Sequence, residues 1–415
     1  MAIILNEGYN GTDKQKYLAE AKGCTVTDLS GKTYVDMAMA GGSAILGHAN
    51  EHVRDAVVKQ LEKGALFTSP TVLAHQYCEV LVQHLGELNH FAFSSTGSEA
   101  TLRAIRIARA HTGKKKIAIF GGGWHGSHDL LMVDDDPESD PHRPTGLLKS
   151  AGTPPDVLEQ VVLLPYNDEA AFDLIEEQAA ELAMVFVEPV QGSNPRGDIK
   201  YFLQELRAVC DKNEVLLGFD EIITGGRLSI AGSKPIFGVT PDLATYGKIY
   251  GGGLPIGLVA GKEEVMSCIR SKEPVFLGGT YSANPLSLAA GKAMLTQLNE
   301  NPDIFTRLEK SAEVFVSDIN HFAERLNINA HMMGKGSMFR LVFSSNSIKN
   351  RRERDRQEVN AEVQNDFYQA LRTAGVWIGE NRINFLSAAH AQTDLDEACD
   401  AYKACLNDFH QNAMI

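Results

Sequence analysis

The sequence predicts an α/β protein built on a mostly parallel sheet. Short apolar segments without strict alternation recur between residues 90 and 262, as is typical of strands that are covered on both faces. Segments with helical periodicity separate these strands. The length of 415 residues allows one large domain and a smaller companion.

Residues before position 90 are predicted to combine strands with helices. The segment 23–38, GCTVTDLSGKTYVDMA, has the composition of two short strands on either side of a Ser30-Gly31 turn. Apolar residues then recur with helical spacing over 51–64 and 71–85. These elements precede the first strand of the predicted sheet.

The sheet and its helices follow, and the C-terminal part mixes strands and helices again. The predicted strands of the sheet cover 91–95, 116–120, 161–166, 183–190, 214–222, 243–248 and 257–261. The predicted helices between them cover 99–113, 168–181 and 200–212. The predicted elements after residue 262 are helices near 285–298, 305–326, 358–374 and 394–409 and strands near 337–344 and 375–378.

The composition disfavours several classes of partner. Thirty-nine basic and 53 acidic residues give a formal net charge of −14, which opposes general binding to nucleic acid or anionic membranes. No apolar run approaches the ~20 residues of a membrane span. The first residues lack the basic and apolar regions of a secretory signal, so we expect a cytoplasmic protein. The six cysteines form no CxxC pair, which argues against a disulfide framework and a zinc site.

Two polar segments stand out from the rest of the chain. Residues 349–358, KNRRERDRQE, carry charges of both signs and are predicted to form a solvated loop or helix face rather than a binding patch. Residues 134–160 are rich in Asp, Pro and Gly and exceed the length of an ordinary connection. A mobile lid and a simple surface excursion are both open interpretations of that segment.

The segment 95–99, Ser-Thr-Gly-Ser-Glu, lies where a predicted strand ends and a helix begins. The free N–H groups and positive dipole end of a helix N-terminus can hold a phosphate. Thr96 and Ser98 would add hydroxyl groups, and Gly97 would let the ligand approach the backbone. The alternative is a helix cap without a ligand.

Asp220 and Lys248 each lie at the end of a predicted strand. A carboxylate at the C-terminal end of a parallel strand points into the ligand crevice of an α/β protein; the alternative is a cap on the next element. The glycines 251–253 leave room for a bulky group near Lys248. A partly buried lysine can form a Schiff base, whereas the alternative is an exposed turn lysine.

Trp124 lies in the glycine-rich segment 121–126, GGGWHG, after a predicted strand. Its ring can stack on a flat cofactor; the alternative is burial in the core. The spacing of His125 and His128 resembles that of metal ligands, but further ligands are absent nearby, so a metal site is disfavoured.

These four features together fit one cofactor. Pyridoxal 5′-phosphate requires an amine for its aldehyde, an anion beside its ring nitrogen, a stacking surface and a phosphate site. Lys248, Asp220, Trp124 and the segment 95–99 supply these groups at the ends of strands in one predicted sheet.

The chain resembles the class III aminotransferases of pyridoxal-phosphate fold type I, and within them the glutamate-1-semialdehyde aminomutase branch. The similarity extends from about Val26 to Phe409. The motifs that carry it are DLSGKTYVDM, LGHANEHV, SSTGSEATLRAIRIARAHTGKKKIAIFGGGWHG, LLPYND, VFVEPVQG, LLGFDEIITGGR, FGVTPDLATYGKIYGGGLPIG, GGTYSANPLSLAAG and LSAAH. The resemblance implies a large cofactor-binding domain over 56–304 and a smaller α+β domain from 1–55 and 305–415.

The resemblance also implies roles for the residues around the cofactor. Lys248 would condense with the cofactor aldehyde and later move a proton between the substrate Cα and C4′. Asp220 would pair with the ring nitrogen, and Trp124 would stack on the ring. Gly97 and Ser98, next to Thr96, would hold the phosphate.

Three further residues follow from the same motifs. Gln191 would lie near the phenolic oxygen of the cofactor, and Glu188 would be a neighbouring structural acid. Thr280 would reach the phosphate bound in a partner subunit. A shared site of this kind implies an obligate homodimer.

Two departures from the aminomutase branch concern the substrate. The N-terminal segment that helps to hold the aminomutase substrate has no match in residues 1–15, MAIILNEGYNGTDKQ. Arg382 stands where that branch has a glutamate before LSAAH. A guanidinium suits bidentate binding of a substrate carboxylate; the alternative is a surface arginine with a salt-bridge partner.

The resulting functional hypothesis is an aminotransferase that moves an amino group from a small-molecule donor to an oxo acceptor by a ping-pong cycle. An aminomutase, which exchanges the amino group within one molecule, is the first alternative. A catalytically silent pyridoxal-phosphate-binding protein is the second, and it would require the loss of a key residue. The identities of donor and acceptor do not follow from the sequence.

Overall fold

The structure is a computed structural model that describes residues 17–415. Its strands are β1 (Leu18–Lys22), β2 (Thr25–Asp28), β3 (Thr33–Asp36), β4 (His90–Ser94), β5 (Lys116–Phe120), β6 (Val133–Asp135), β7 (Gly146–Leu148), β8 (Val161–Leu164), β9 (Leu182–Val187), β10 (Leu216–Asp220), β11 (Leu243–Tyr246), β12 (Gly257–Gly261), β13 (His331–Lys335), β14 (Met338–Val342), β15 (Val376–Trp377) and β16 (Asn384–Phe385). The predicted departure in residues 1–15 lies outside the described residues.

The α-helices vary in length from one turn to more than six turns. They are α1 (Met39–Gly42), α2 (Glu51–Leu61), α3 (Val72–Leu85), α4 (Gly97–Thr112), α5 (Ala170–Gln178), α6 (Lys200–Lys212), α7 (Lys234–Phe237), α8 (Glu263–Met266), α9 (Pro285–Glu300), α10 (Asp303–Leu326), α11 (Arg351–Gln357), α12 (Ala361–Thr373) and α13 (Gln392–Gln411). Every long helix predicted from periodicity is present.

A seven-stranded sheet forms the centre of the molecule, in the order β4-β12-β11-β10-β9-β5-β8. Neighbouring strands from β11 to β8 run parallel, and β12 alone runs against the others. The predicted α/β class with a mostly parallel sheet is therefore confirmed.

Both faces of this sheet are covered, which explains why its strands are apolar throughout. Along β5, Ile117 and Ile119 belong to the apolar cluster that includes α4, whereas Ala118 and Phe120 belong to the cluster that includes α6. The side chains of a strand alternate between the two faces of its sheet. Burial on both faces thus replaces the alternation seen in half-exposed strands.

The two ends of the described chain meet in the smaller sheets. The strand order β1-β2-β3-β15 joins the first strands to one near the C-terminus, and β13-β14-β16 forms a second sheet. This arrangement agrees with a smaller unit drawn from both chain ends. The proposed limits 1–55, 56–304 and 305–415 stay predictions.

The charge run forms a helix with an exposed side at Asp355–Gln357, as predicted, but its other arginines pack against the protein. Residues 351–357 form α11, in which Arg354 is buried. Arg352 Nη1 lies 3.4 Å from Asp135 Oδ2, and Arg356 Nη2 donates to the carbonyl of Pro137 at 2.7 Å. The acidic and turn residues at the start of segment 134–160 thus pair with the arginines, because the two segments meet in the fold.

Three further observations concern the part of the chain that the structure describes. Within residues 17–415 no helix is long and apolar enough to cross a membrane. The same residues contain no group of three or more His, Cys, Asp or Glu side chains arranged to hold a metal ion. All six cysteines are free thiols.

Candidate active site

Five strands of the central sheet end at one edge, where most of the predicted site residues follow them. Strands β4, β5, β9, β10 and β11 share one direction. The residues that end or follow these strands are Thr96, Gly97, Ser98, Trp124, Gln191, Asp220 and Lys248. This edge is the usual ligand crevice of a doubly wound sheet.

The N-terminus of α4 forms one side of the crevice. Thr96 caps the helix, since its Oγ1 accepts the N–H of Glu99 at 3.1 Å. A Cβ on Gly97 would lie 2.6 Å from Cδ1 of Ile222, so only glycine fits there without a shift. The first N–H groups of a helix have no partner inside it and can bind a phosphate. Both the cap and the ligand interpretations of segment 95–99 are compatible with this geometry.

Asp220 ends β10 and is held by three donors. His125 Nδ1 lies 2.8 Å from its Oδ2, while the N–H of Ile222 and Oγ1 of Thr245 donate to Oδ1 at 3.1 and 3.2 Å. The carboxylate is buried, so its orientation is fixed. An anion in this position can pair with a protonated ring nitrogen.

Lys248 follows β11 in an unusual backbone conformation. Its φ is +47°, a left-handed value that costs energy for a residue with a side chain. Desolvation by burial lowers the pKa of the amine, and Asp220 and Glu188 partly oppose this shift, whereas Arg227 reinforces it. A lowered pKa increases the fraction of neutral, nucleophilic amine.

Trp124 belongs to a loop whose backbone is fixed by side chains. The side chains that hydrogen-bond the backbone of residues 121–124 are Asp134, Lys149, Glu188, Gln191 and Ser193. The N–H of Trp124 donates to Glu188 Oε2 at 3.0 Å, and Nζ of Lys149 lies 5.9 Å from the centre of the indole ring. The ring is 50% exposed, so it is available for stacking.

Gln191 and Glu188 lie behind this loop. Gln191 is fully buried and its Nε2 donates to the carbonyl of Gly121, but its Oε1 has no partner within residues 17–415. A buried polar atom of this kind is available to bond a ligand or a water molecule. Burial also raises the pKa of the Glu188 carboxyl.

Thr280 and Arg382 lie apart from this group. Thr280 is exposed on the segment before α9, which Arg103 anchors by donating to the carbonyl of Gly278 at 3.0 Å. Arg382 has a φ of +57° and donates to the amide oxygens of Gln364 and Asn365, the latter at 2.6 Å. Neither residue touches Lys248 or Asp220 in the single chain, and their predicted roles stay predictions.

Two site residues were not identified from the sequence. The sequence predicted His125 only as a disfavoured metal ligand. Its position next to Trp124 in the motif GGGWHG could have indicated a residue of the crevice. Arg227 is buried and lowers the pKa of Lys248. Arg227 is the last residue of the motif LLGFDEIITGGR. In that motif, the sequence predicted a role only for Asp220.

The arrangement of the site can be compared with known proteins. The sequence profile described as Aminotransferase class-III matches residues 9–406. The chain belongs to the class III aminotransferase family. Members of this family depend on pyridoxal phosphate, so the predicted cofactor and fold type I are confirmed.

Curated relatives of the family are similar over nearly their whole length. The glutamate-1-semialdehyde 2,1-aminomutase of Methanococcoides burtonii is 36% identical over 393 residues, which are 93% of this chain and 91% of the relative. The enzyme of the same name from Archaeoglobus fulgidus is 36% identical over 397 residues, 94% of this chain and 92% of the relative. The resemblance to the aminomutase branch is thus confirmed.

Solved structures of transaminases share the fold. An omega-transaminase from Sphaerobacter thermophilus has a TM-score of 0.89 and 30% identity, with 95% of this chain and 91% of that chain covered. A β-phenylalanine aminotransferase from Variovorax paradoxus has a TM-score of 0.85 and 25% identity, with 95% and 88% covered. This class III chain therefore resembles proteins named for both activities.

The residues of the site fit pyridoxal phosphate on structural grounds. The free Oε1 of Gln191, the close approach allowed by Gly97 and the oriented carboxylate of Asp220 face one crevice edge. Lys248 brings an amine of lowered pKa to the same edge. These groups are of the kinds that this cofactor requires for its phosphate, its ring nitrogen and its aldehyde.

Proposed function

We propose that this class III enzyme is an aminotransferase, which moves an amino group from a carboxylate-bearing donor to an oxo acceptor by a ping-pong mechanism. One observation favours an aminotransferase over an aminomutase. Arg382 stands where the aminomutase branch has a glutamate, and it makes no ion pair with a carboxylate within residues 17–415. A guanidinium whose partners are neutral amide oxygens keeps its charge available for a substrate carboxylate.

Each side chain of the site has a role in this proposal. When bound, pyridoxal phosphate supplies an electron sink for the bond cleavage at the substrate Cα. Asp220 keeps the ring nitrogen protonated, and His125 holds that carboxylate in place. Lys248 would take the proton from the substrate Cα and return it to C4′ of the cofactor, as a general base and acid.

The remaining residues position the reacting groups. Trp124 covers one face of the ring, and its loop is fixed before any ligand arrives. Thr96, Gly97 and Ser98 bind the phosphate at the N-terminus of α4. Gln191 lies near the phenolic oxygen of the cofactor. Glu188 holds the loop in place by accepting a hydrogen bond from the N–H of Trp124.

An aminomutase is the second candidate, favoured by the curated relatives at 36% identity. That reaction needs no external acceptor, because the amino group returns to the same molecule. Formation of product without an added oxo acid would therefore select it. A catalytically silent role is disfavoured, because Lys248 and Asp220 are both in place at the crevice edge.

We also propose that the enzyme is a homodimer in which Thr280 reaches the partner's phosphate site. Large apolar side chains are exposed on α2, on and before α3, and before α9: Val58, Leu61, Leu66, Phe67, Val72, Phe276 and Tyr281. Aromatic side chains are enriched at interfaces between proteins, so the exposed Phe67, Phe276 and Tyr281 support this proposal.

The visible absorption of the purified protein tests the proposed function. After incubation with pyridoxal phosphate and removal of excess cofactor, we expect a yellow protein whose band bleaches when an amino donor is added without acceptor. An oxo acid should then restore the band, in keeping with two separable half-reactions. A protein that stays colourless, or one that forms product with a single substrate and no acceptor, would contradict the aminotransferase proposal.

A further inference from the structure

A buried arginine joins three distant segments beside the cofactor crevice. Arg227, in the loop after β10, is 1% exposed. Its Nη1 donates to Ser337 Oγ at 2.7 Å and to the carbonyl of Leu386 at 3.2 Å, and its Nη2 donates to the carbonyl of Gly42 at 2.5 Å. Within residues 17–415 it makes no ion pair with a carboxylate. Burial lowers its pKa to about 9, so the group is still charged at neutral pH.

The segment that Arg227 contacts through Gly42 has an unusual backbone. All four residues of α1 have positive φ values, and those of Met39 and Ala40 are +43° and +52°. Left-handed conformations cost energy for residues that have a Cβ, and they persist only where surrounding contacts fix them. The shape of α1 therefore depends on the groups that hold it.

Side chains hold both ends of α1. At its start, Asp36 Oδ1 accepts the N–H of Met39 at 3.1 Å. At its end, Arg227 holds the carbonyl of Gly42, and the ring of Phe385 packs against both residues. A Cβ on Gly42 would lie 2.9 Å from Cε1 of Phe385, and Cζ of Arg227 lies 4.8 Å from the centre of that ring. Loss of the arginine would therefore release the C-terminal end of α1.

Both α1 and the loop of Arg227 lie against Lys248. A Cβ on Gly41 would lie 4.0 Å from Cε of Lys248, so the backbone of α1 borders the side chain that carries the amine. A Cβ on Gly226 would lie 2.6 Å from Cγ2 of Ile249, so the loop of Arg227 packs on the residue after the lysine. The position of the lysine therefore depends on both segments.

Four influences act on the buried amine of Lys248. Desolvation by burial has the largest effect and lowers its pKa. The carboxylates of Asp220 and Glu188 oppose this shift, and the charge of Arg227 reinforces it. A substitution that removes the charge of Arg227 should therefore favour protonation of the amine, because the two carboxylates would then act on it without opposition from this cation.

We propose that Arg227 is a positioning residue for Lys248, which holds the strained backbone of α1 beside the lysine and acts on its amine with an uncompensated positive charge. The inference rests on the proposed role of Lys248 in proton transfer and adds a second residue to that role. An amine must be neutral to attack an aldehyde or to accept a proton. The charge of Arg227 favours the neutral form, and the fixed backbone of α1 limits the positions that the lysine side chain can take.

The pH dependence of Lys248 acetylation tests the effect of the charge. The cofactor-free, full-length protein is treated briefly with acetic anhydride at a series of pH values, and mass spectrometry gives the pH midpoint for Lys248. Arg227→Gln removes the charge and keeps a hydrogen-bond donor, so we expect its midpoint to rise by about one pH unit. Arg227→Lys keeps the charge and should have a midpoint close to that of the wild type.

A third variant separates the charge from a general loss of stability. Ser337→Ala removes one acceptor of Arg227 and keeps its charge, so it should lower Tm without moving the acetylation midpoint. In the cofactor-loaded proteins, the pH midpoint of the visible absorption should rise in Arg227→Gln and stay near the wild-type value in Arg227→Lys. A merely structural role would instead move the midpoints in proportion to the loss of Tm.

Hydrogen exchange in the cofactor-loaded protein tests the contact with α1. The N–H groups of residues 42–44 donate to the carbonyls of residues 38–40, so they are protected while this backbone is held in place. We expect their exchange to be faster by about tenfold or more in Arg227→Gln than in the wild type. Arg325→Met, which removes an exposed arginine on α10, should leave it unchanged.

The outcomes separate this inference from the proposed function. Equal acetylation midpoints in the wild type and in folded Arg227→Gln would overturn the role of Arg227, as would midpoints that follow Tm across the three variants. The wild type alone provides a further test, which holds even where Arg227→Gln fails to fold. Exchange of its residues 42–44 as fast as that of the exposed segment 271–273 would also overturn the inference. A wild type that takes up no pyridoxal phosphate would overturn the proposed function, whereas the acetylation midpoints, measured without cofactor, would still decide on Arg227.

Discussion

Nδ1 of His125 lies 2.8 Å from Oδ2 of Asp220, and both side chains are buried at the edge of the central sheet. His125 also fixes its surroundings through its main chain, since its carbonyl accepts Oγ1 of Thr101 at 2.7 Å. His125 therefore connects α4 to the carboxylate that we propose pairs with the cofactor ring. We regard His125 as a positioning residue, because it acts through Asp220.

Replacing His125 should lower turnover through Asp220. His125→Leu removes a hydrogen bond to a charged group, a loss of about 1.5–3 kcal/mol, so kcat should fall about tenfold to a hundredfold. His125→Asn keeps a donor on a shorter side chain and should retain more activity. Steady-state kinetics measure the difference.

A spectroscopic readout separates this role from a merely structural one. The pH dependence of the absorption of bound cofactor should shift in His125→Leu and change less in His125→Asn. His321→Leu, at an exposed position on α10, provides the control. Equal kcat and equal spectra in the wild type and His125→Leu would disprove the role.

Lys248→Ala should abolish turnover and leave the fold intact. The lysine is the only group assigned to proton transfer at the substrate Cα, and such transfer contributes about 10²–10⁴-fold to rate. The variant should keep the wild-type circular dichroism. Lys310→Ala, on the exposed side of α10, should be fully active. Near-normal turnover of Lys248→Ala would refute the assignment.

Glu221 should make the protein less stable as pH rises. Burial raises the pKa of this carboxyl to about 7, against 4.5 in its ordinary state. The folded protein therefore binds more protons than the unfolded chain between these values. The contribution of this group to the free energy of unfolding is fully present below pH 4.5 and declines up to pH 7, by about 3 kcal/mol in total.

Glu221→Gln removes this titration. Urea unfolding of both proteins at several pH values should show the variant gaining stability relative to the wild type as pH rises from 5 to 8. Glu313→Gln, an exposed position on α10, should show no such trend. A stability difference between Glu221→Gln and wild type that is independent of pH would contradict the prediction.

Asp134 and Arg351 should be energetically coupled. Asp134 accepts the N–H of Gly122 and lies 3.1 Å from both Lys149 Nζ and Arg351 Nη1. A double-mutant cycle with Asp134→Asn and Arg351→Met should give a coupling of about 1 kcal/mol in unfolding. High salt should reduce it, since Arg351 is partly exposed. Additive effects of the two substitutions would rule out the coupling.

The fold could be predicted because the sheet is buried on both faces. Uninterrupted apolar strands such as β9 and intervening amphipathic helices such as α6 indicate a parallel sheet directly. Strand β1 was not predicted, because its five residues are mostly exposed and lack an apolar pattern. A short exposed strand acquires its structure from pairing with β2 rather than from its own composition.

The site could be predicted only where a motif follows a strand. Lys248 and Asp220 were identified because the ends of parallel strands converge at one edge. The packing of α11 against residues 134–139 joins segments more than 200 residues apart, and no local pattern contains that information.

Arg227 connects segments that the ribosome makes at different times. Its guanidinium donates to Gly42, Ser337 and Leu386, at sequence separations of 185, 110 and 159 residues. Translation adds about 5–20 residues per second, so about 8–30 s pass between the synthesis of Arg227 and that of Leu386. Between the synthesis of Gly261, which ends β12, and that of Ser337, the nascent chain contains all of β4–β12 but lacks two of the three acceptors of this arginine. The environment of Lys248 is therefore completed only when the C-terminal region has been made, and a chain that is stopped earlier holds an unfinished crevice.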